Sequence, residues 1–167
     1  MALDPQRVLL VFYVGGQLAA LPLENVKRIA SMVQLARPPG LPSPLEGILN
    51  LGGTAVPVVR LDRLLRRPAQ EVGLYSMLII LKDSSGAGFA LLVERTSEVI
   101  SVTCDELLKL DQEDSFNACA EASFLLRGET VPLLSPQRIL LEKEKLALSE
   151  FQILAQQRVS EWRATNQ

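Results

Sequence analysis

Two stretches of this chain, 75 residues apart, read alike. LNLGGTAVPVVRLDRLL at 49–65 lies over FLLRGETVPLLSPQRIL at 124–140, and six of the seventeen positions are identical: Leu51/Leu126, Gly53/Gly128, Val56/Val131, Pro57/Pro132, Arg63/Arg138 and Leu65/Leu140. Each stretch is a short apolar run, a turn glycine and a second run with a proline four positions past that glycine. Earlier in each half, LAALPLENVKRI at 18–29 lies over FALLVERTSEVI at 89–100. Self-similarity of this kind predicts two related β modules of about 70 residues each. The short spacers make hairpins; a parallel sheet would need long crossovers.

The strands follow from the runs. Residues 8–14 and 18–21 flank Gly15-Gly16-Gln17, 46–51 and 54–59 flank Gly52-Gly53, and 123–126 and 130–134 flank Arg127-Gly128-Glu129. Residues 77–81 and 89–93 flank a polar stretch, with 96–102 continuing the return. Pro57 and Pro132 cannot donate to a ladder, so each demands an edge or bulge position. Residues 23–29 read as a short helix or a strand end, 61–67 as a short helix stopped near Pro68, and 105–110 as a helical turn. ARPPGLPSPL at 36–45 carries four prolines and a glycine, which forbid a long helix there. Each half is small, and short strands need their edges hidden. Two small closed barrels packed together answer both demands.

The chain changes character at 141–162, which has no glycine or proline. Leu141, Leu148, Phe151, Ala155, Val159 and Trp162 fall near helical spacing, widened by Leu154. Glu142 and Glu144 near the start, with Arg158 and Arg163 near the end, suit the helix dipole. A helix of about five turns gains most of its stability by packing its stripe. Leu148, Phe151, Ala155, Val159 and Trp162 are its candidate docking residues, against the chain's own β body, a partner or a second copy.

Composition excludes much chemistry. The 167 residues, 48% hydrophobic and 22% charged, suit one globular domain that needs no staple. There is no histidine, hence no His-based triad, imidazole zinc site or imidazole base. Cys104 and Cys119 read as reduced thiols rather than a disulfide framework. The glycines form neither GxGxxG before a helix nor a terminal GK[ST], and Asp111, Glu113 and Asp114 lack the calcium-loop pattern. No catalytic residue, metal site or cofactor is therefore expected. No run approaches the roughly 20 apolar residues of a membrane span, and MALDPQ does not open a secretory signal.

The net charge of −2 gives no argument for nucleic acid. It is uneven: residues 1–70 carry eight basic and four acidic side chains, residues 71–167 nine basic and fifteen acidic. Arg60, Arg63, Arg66 and Arg67 fall together, as a solvated helix face or a docking patch for an acidic protein surface.

GILNLGGTAVPVVRL at 47–61 resembles the signature of the CheW-like domain family, close to G-V-I-N-L-R-G-x-V-V-P-V-I-D-L. Gly47, Asn50, Leu51, Gly53, Pro57 and Leu61 match in register. The approach ARPPGLPSPLEG, the opening FYVGGQLAALPLENVKRI and the second-half GFALLVERTSEVI and LLRGETVPLLSPQRIL fit as well, so the likeness covers 7–141. It implies a mainly β fold of two packed five-stranded SH3-like barrels with short connecting helices. The barrels would occupy about 7–70 and 75–141, exchange of strands between them being left open, with 142–167 a C-terminal helix and tail.

The resemblance also implies a noncatalytic cytoplasmic adaptor without a cofactor. It would join the regulatory domain of a CheA-type histidine kinase to the cytoplasmic tip of a methyl-accepting chemoreceptor, at membrane-associated arrays. Val33, Leu35, Ile48 and Asn50 are then candidate receptor-facing residues, and Arg60, Arg63 and Arg67 candidates for kinase or other partner contact. Gly53, Pro57, Gly128 and Pro132 are structural candidates. The chain departs from the family at Gly52, where arginine is usual, at Arg60, where aspartate is usual, and at Ser135, where an acid is common. Such changes suit either an adaptor for a different kinase or a form that has lost receptor binding. Two other readings stay open: a homotypic scaffold joined by the C-terminal helix, and a small-molecule-binding β module.

Overall fold

Hairpin turns organise the chain, and their residues explain why they form. The computed structural model describes residues 6–41, 45–68, 71–82, 88–109, 119–139 and 142–165, with the backbone alone at 142–149, 151 and 163–165. β1 (Gln6–Val14) meets β2 (Gln17–Pro22), β4 (Leu45–Leu51) meets β5 (Thr54–Arg60), and β10 (Ala120–Leu126) meets β11 (Glu129–Leu134), each across two residues. Between them lie β3 (Val26–Ser31), β6 (Met77–Leu81), β7 (Ala90–Val93), β8 (Arg95–Thr103) and the two-residue β9 (Leu108–Lys109). All three turns hold both central residues at positive φ, the geometry whose twist matches paired strands. The pairs are Gly15/Gly16 at 58°/79°, Gly52/Gly53 at 59°/94° and Arg127/Gly128 at 48°/82°.

Gly53 is therefore a turn requirement. Gly53→Val, a β-branched residue at φ 94°, is expected to cost about 1–3 kcal/mol, and thermal melting reads the loss. Gly52→Arg recreates the arrangement that Arg127 already adopts, and nothing lies within 4 Å of the added Cβ. It should cost only about 1 kcal/mol. Equal losses from the two variants would discard the turn argument.

The chain forms two sheets, in the orders β8-β1-β2-β11-β10-β9 and β3-β6-β7-β5-β4. Neither sheet follows a contiguous half. The hairpin β1–β2 joins β8, β10 and β11 from the second half, while β6–β7 joins β3, β4 and β5 from the first. The hairpins β1–β2 and β6–β7 are thus exchanged between the two sheets. Each sheet closes on the segment that forms its other end. β8 leads through a 3-10 turn at Cys104–Glu106 into β9, which pairs with β10, and the segment after β3 bridges β4 at Ala36↔Ile48. The helical turn expected at 105–110 is confined to that 3-10 turn; Leu108 and Lys109 are strand because they complete the closure. At 23–29, a 3-10 turn at Leu23–Asn25 runs straight into β3.

Burial explains the exchange. Along β1, Leu9 and Val11 face the core of one barrel, while Leu10, Phe12 and Val14 face a second core shared between the barrels. Along β6, Leu78 and Ile80 line the other barrel, and Ile79 and Leu81 join the shared core. A strand buried on both faces reads as an unbroken apolar run, as both strands do in sequence. At roughly 1.5–3 kcal/mol for each fully buried large side chain, the shared core binds the barrels strongly.

The repeated prolines occupy matching places. β5 pairs in parallel with β7 only from Val58 onward, and β11 pairs in parallel with β2 at Leu133. Pro57 and Pro132 each sit one residue earlier, where the strand has a neighbour on one side. Both are also in hairpins with a bulge, at Leu45/Gly47 and Ala120/Ala122. After β5, α1 (Leu61–Leu64) is shorter than the expected 61–67, because Arg66 turns into the left-handed region at φ 54°. α2 (Glu142–Thr165) closes the described chain.

Candidate partner-docking surface

The unpaired half of β5 is covered by α2. Beside the turn, Ala55 is opposite Asn50, and its N–H and C=O point away from β4. Two side-chain amides one helical turn apart meet them. The Gln156 Oε1 accepts from the Ala55 N–H at 2.8 Å, and its Nε2 donates to the Gly53 carbonyl at 3.0 Å. The Gln152 Nε2 donates to the Ala55 carbonyl at 3.3 Å. Beside these bonds Ala155 and Val159 pack on Ile48 and Ala55. The matching hairpin of the other barrel carries Ser123 and Thr130 in place of Ile48 and Ala55, a polar seat that offers a helix much less.

Of the expected helix-docking residues, Ala155 is buried, Val159 half-buried and Trp162 65% exposed. The side chains of Leu148 and Phe151 lie outside the described residues. Ile153 and Leu154 are exposed. Along one flank of α2, Leu154, Arg158 and Val159 form a groove of about 370 Å³ with Ile48 and the Arg37-Pro38-Pro39 loop.

The arginine cluster does not form one patch. Arg60 is 8% exposed and grips the fully buried Asp62 with two bonds, Nη2 to Oδ2 at 2.7 Å and Nε to Oδ1 at 3.1 Å. Its Nη1 reaches Glu46 at 3.5 Å, and Glu46 also accepts from Arg37 at 2.8 Å. The hydrogen bond to Asp62, supported by the charge of Glu46, holds the Arg60 pKa above the usual guanidinium value despite burial. The charge at this position is thus answered inside the chain, and Arg60 presents little to a partner. Arg67 donates from Nη1 to the Val14 and Gln17 carbonyls at 3.0 and 3.3 Å, clasping the β1–β2 turn, and burial pushes its pKa down. Arg63 is the exposed member of the three candidates.

The receptor-facing candidates divide similarly. Val33 is 49% exposed. Leu35 is a core residue, packed with Leu49, Val56 and Leu78. Ile48 is buried beneath α2. Asn50 is exposed, and its Oδ1 accepts from the Gly53 N–H at 2.9 Å, bracing the turn. Ser135 is buried, and its backbone N–H donates to the Cys119 carbonyl at 2.8 Å. The structure also identifies positions that the sequence reading left aside: Glu46 and Asp62 behind Arg60, and Gln152 and Gln156 on α2. The acid two residues after Arg60 and the i,i+4 spacing of the glutamines beside an apolar stripe were the available signals.

Among the described residues no cluster of three or more cysteine, aspartate and glutamate side chains could hold a metal, and no helix is long and apolar enough to cross a membrane. The acidic stretch Asp111, Glu113 and Asp114 lies outside the described residues.

The chain resembles known proteins over most of its length. It is 24% identical over 133 residues to the chemotaxis protein CheW of Thermotoga maritima, spanning 80% of this chain and 87% of that protein. Its fold is similar to the crystal structure of the scaffolding protein TtCheW from Thermoanaerobacter tengcongensis, with a TM-score of 0.75, 20% identity and coverage of 87% and 95% of the two chains. The two sheets described above are accordingly a pair of SH3-like barrels. The family model for the CheW-like domain matches residues 8–144, and with both barrels and the signature hairpin inside that span, this chain belongs to the CheW-like domain family.

Proposed function

We propose that this chain is a noncatalytic adaptor that couples a CheA-type histidine kinase to the cytoplasmic tip of a methyl-accepting chemoreceptor, in the cytoplasm and at receptor arrays. The observation that carries the reading is membership of the CheW-like family across both barrels. The shared core supports it physically. A linker that transmits receptor geometry must hold its two ends at fixed orientation, and a core common to both barrels does so. Val33, Asn50 and Arg63 are the exposed candidates for contact, Val33 and Asn50 toward receptor and Arg63 toward kinase.

Capture from the source cell with the full chain as bait tests the reading. A histidine kinase and a chemoreceptor are expected among the captured proteins. Arg63→Glu should lower recovery of the kinase, more at low salt than at high, because an exposed charge acts through screened attraction. A folded bait that captures neither partner overturns the proposal.

The exposed Ile153, Leu154 and Trp162 of α2 favour one second reading, a homotypic scaffold joined through this helix. Sedimentation of the purified chain distinguishes it: a concentration-dependent dimer supports that reading, and a monomer removes it.

A further inference from the structure

We propose that α2 is a removable cover over the β4–β5 hairpin, and that receptor binding at this hairpin requires it to lift. The inference rests on the adaptor reading and names how its receptor-facing surface is regulated. Ile48, at the centre of the signature hairpin, is 5% exposed, and Ala155 and Val159 of α2 pack on it. The same helix occupies the open edge of β5 through Gln152 and Gln156. A partner reaching Ile48 or the Ala55 edge competes with these side chains for the same atoms.

The attachment is of a kind that can be released. Among the described side chains, the apolar seat consists of Ala155 and Val159 on Ile48 and Ala55, while Ile153 and Leu154 remain exposed. The three hydrogen bonds from Gln152 and Gln156 are neutral, and water replaces bonds of that kind at small net cost. Lifting α2 leaves the Ala55 N–H and C=O facing solvent at a sheet edge, where they can be hydrated or bonded by a partner. Among the described side chains, the three barrel-core clusters are made of residues outside α2. A groove of about 370 Å³ runs along the Leu154–Arg158 flank of α2.

The experiment compares the full chain with Gln152→Ala/Gln156→Ala and, separately, with Ala155→Glu. Hydrogen exchange at the Ala55 amide reports the cover directly: protected in the wild type, fast in both variants, with protection at Ile79 and Leu91 unchanged. Affinity is then measured for the cytoplasmic-tip fragment of the receptor captured by the wild-type chain. If the open form is about a tenth of the wild-type population, both variants bind about tenfold more tightly. A synthetic peptide of residues 142–165 added to the glutamine variant should weaken binding again. Unchanged Ala55 protection, or a receptor affinity that stays equal or falls, overturns the cover while leaving the adaptor reading intact. Failure of both wild type and variants to bind any receptor overturns the adaptor reading and the cover with it.

Discussion

Arg60→Ala is expected to destabilise the fold by about 3–5 kcal/mol, because it strands Asp62 as a buried charge without its partner. Asp62 is fully buried, and two of its bonds come from the Arg60 guanidinium. Asp62 also accepts from the Arg63 backbone N–H at 2.9 Å, but a neutral amide does not replace the charge of a guanidinium. For a chain of this length the melting temperature should fall by roughly 6–20 °C. Arg60→Lys keeps the charge but loses the planar two-bond grip, so it should fall between wild type and alanine. Arg60→Met combined with Asp62→Asn removes both charges together, and its melt should recover a large part of the loss. An alanine variant melting within about 2 °C of wild type would show that no buried charge had been exposed by the change. The same argument decides how docking is probed. A charge reversal at Arg60 perturbs folding, whereas Arg63 can report a surface contact.

The position of Arg60 shows where the sequence was legible and where it was not. A cation closing a strand, beside three more arginines, reads as surface, because periodicity records apolar faces and is blind to charges that pair inside. The resemblance to the signature, in which aspartate is usual here, pointed the same way by marking a charge reversal. The compensating acid stood two residues on, at Asp62, but only the bend from β5 into α1 brings the two side chains together. Leu35, a receptor-facing candidate, fails in the same direction. It stands just before the proline-rich segment at 36–45, yet it fills the core with Leu49 and Val56.

Local chemistry was readable wherever it sufficed. The span 77–81 is β6 without adjustment, because an apolar run with breaks at both ends leaves little choice. The glycine turns were fixed by the positive φ that paired strands demand. The C-terminal helix was set by the absence of breakers, and its end ran three residues further than the stripe, to Thr165. Partner choice was another matter. Nothing in the run Leu9–Phe12 says whether its second face meets the neighbouring half or its own, and β1 pairs with β8 some ninety residues away. The unbroken apolar character of β1, β6 and β7 was the trace of that exchange: each is covered on two sides. The alternating strand β8, exposed at every second position from Arg95 to Ser101, is covered on one.

Gly47→Val should be comparably severe for a different reason, loss of barrel closure. A Cβ at Gly47 would lie 2.8 Å from the Ala36 carbonyl oxygen and 2.8 Å from the Leu35 Cβ. Neither can yield cheaply, since one is backbone and the other anchors a buried side chain. The Ala36 N–H donates to the Ile48 carbonyl at 2.9 Å, and the Ile48 N–H donates to the Ala36 carbonyl at 2.8 Å. Pushing residues 35–36 outward breaks this bridge and withdraws Leu35 from the core. Two net hydrogen bonds and much of a buried leucine together amount to about 3–5 kcal/mol. Gly47→Ala meets the same two atoms with less bulk and should cost about 1–3 kcal/mol. The second barrel supplies the control, because Ala122 holds the corresponding place and already fits a methyl group there. Ala122→Gly should therefore cost only about 0.5–1 kcal/mol. Hydrogen exchange at Ala36 and Ile48 separates closure from general destabilisation. In Gly47→Ala both amides should lose protection before those of β1 and β6, and uniform loss across both barrels would reject closure as the cause.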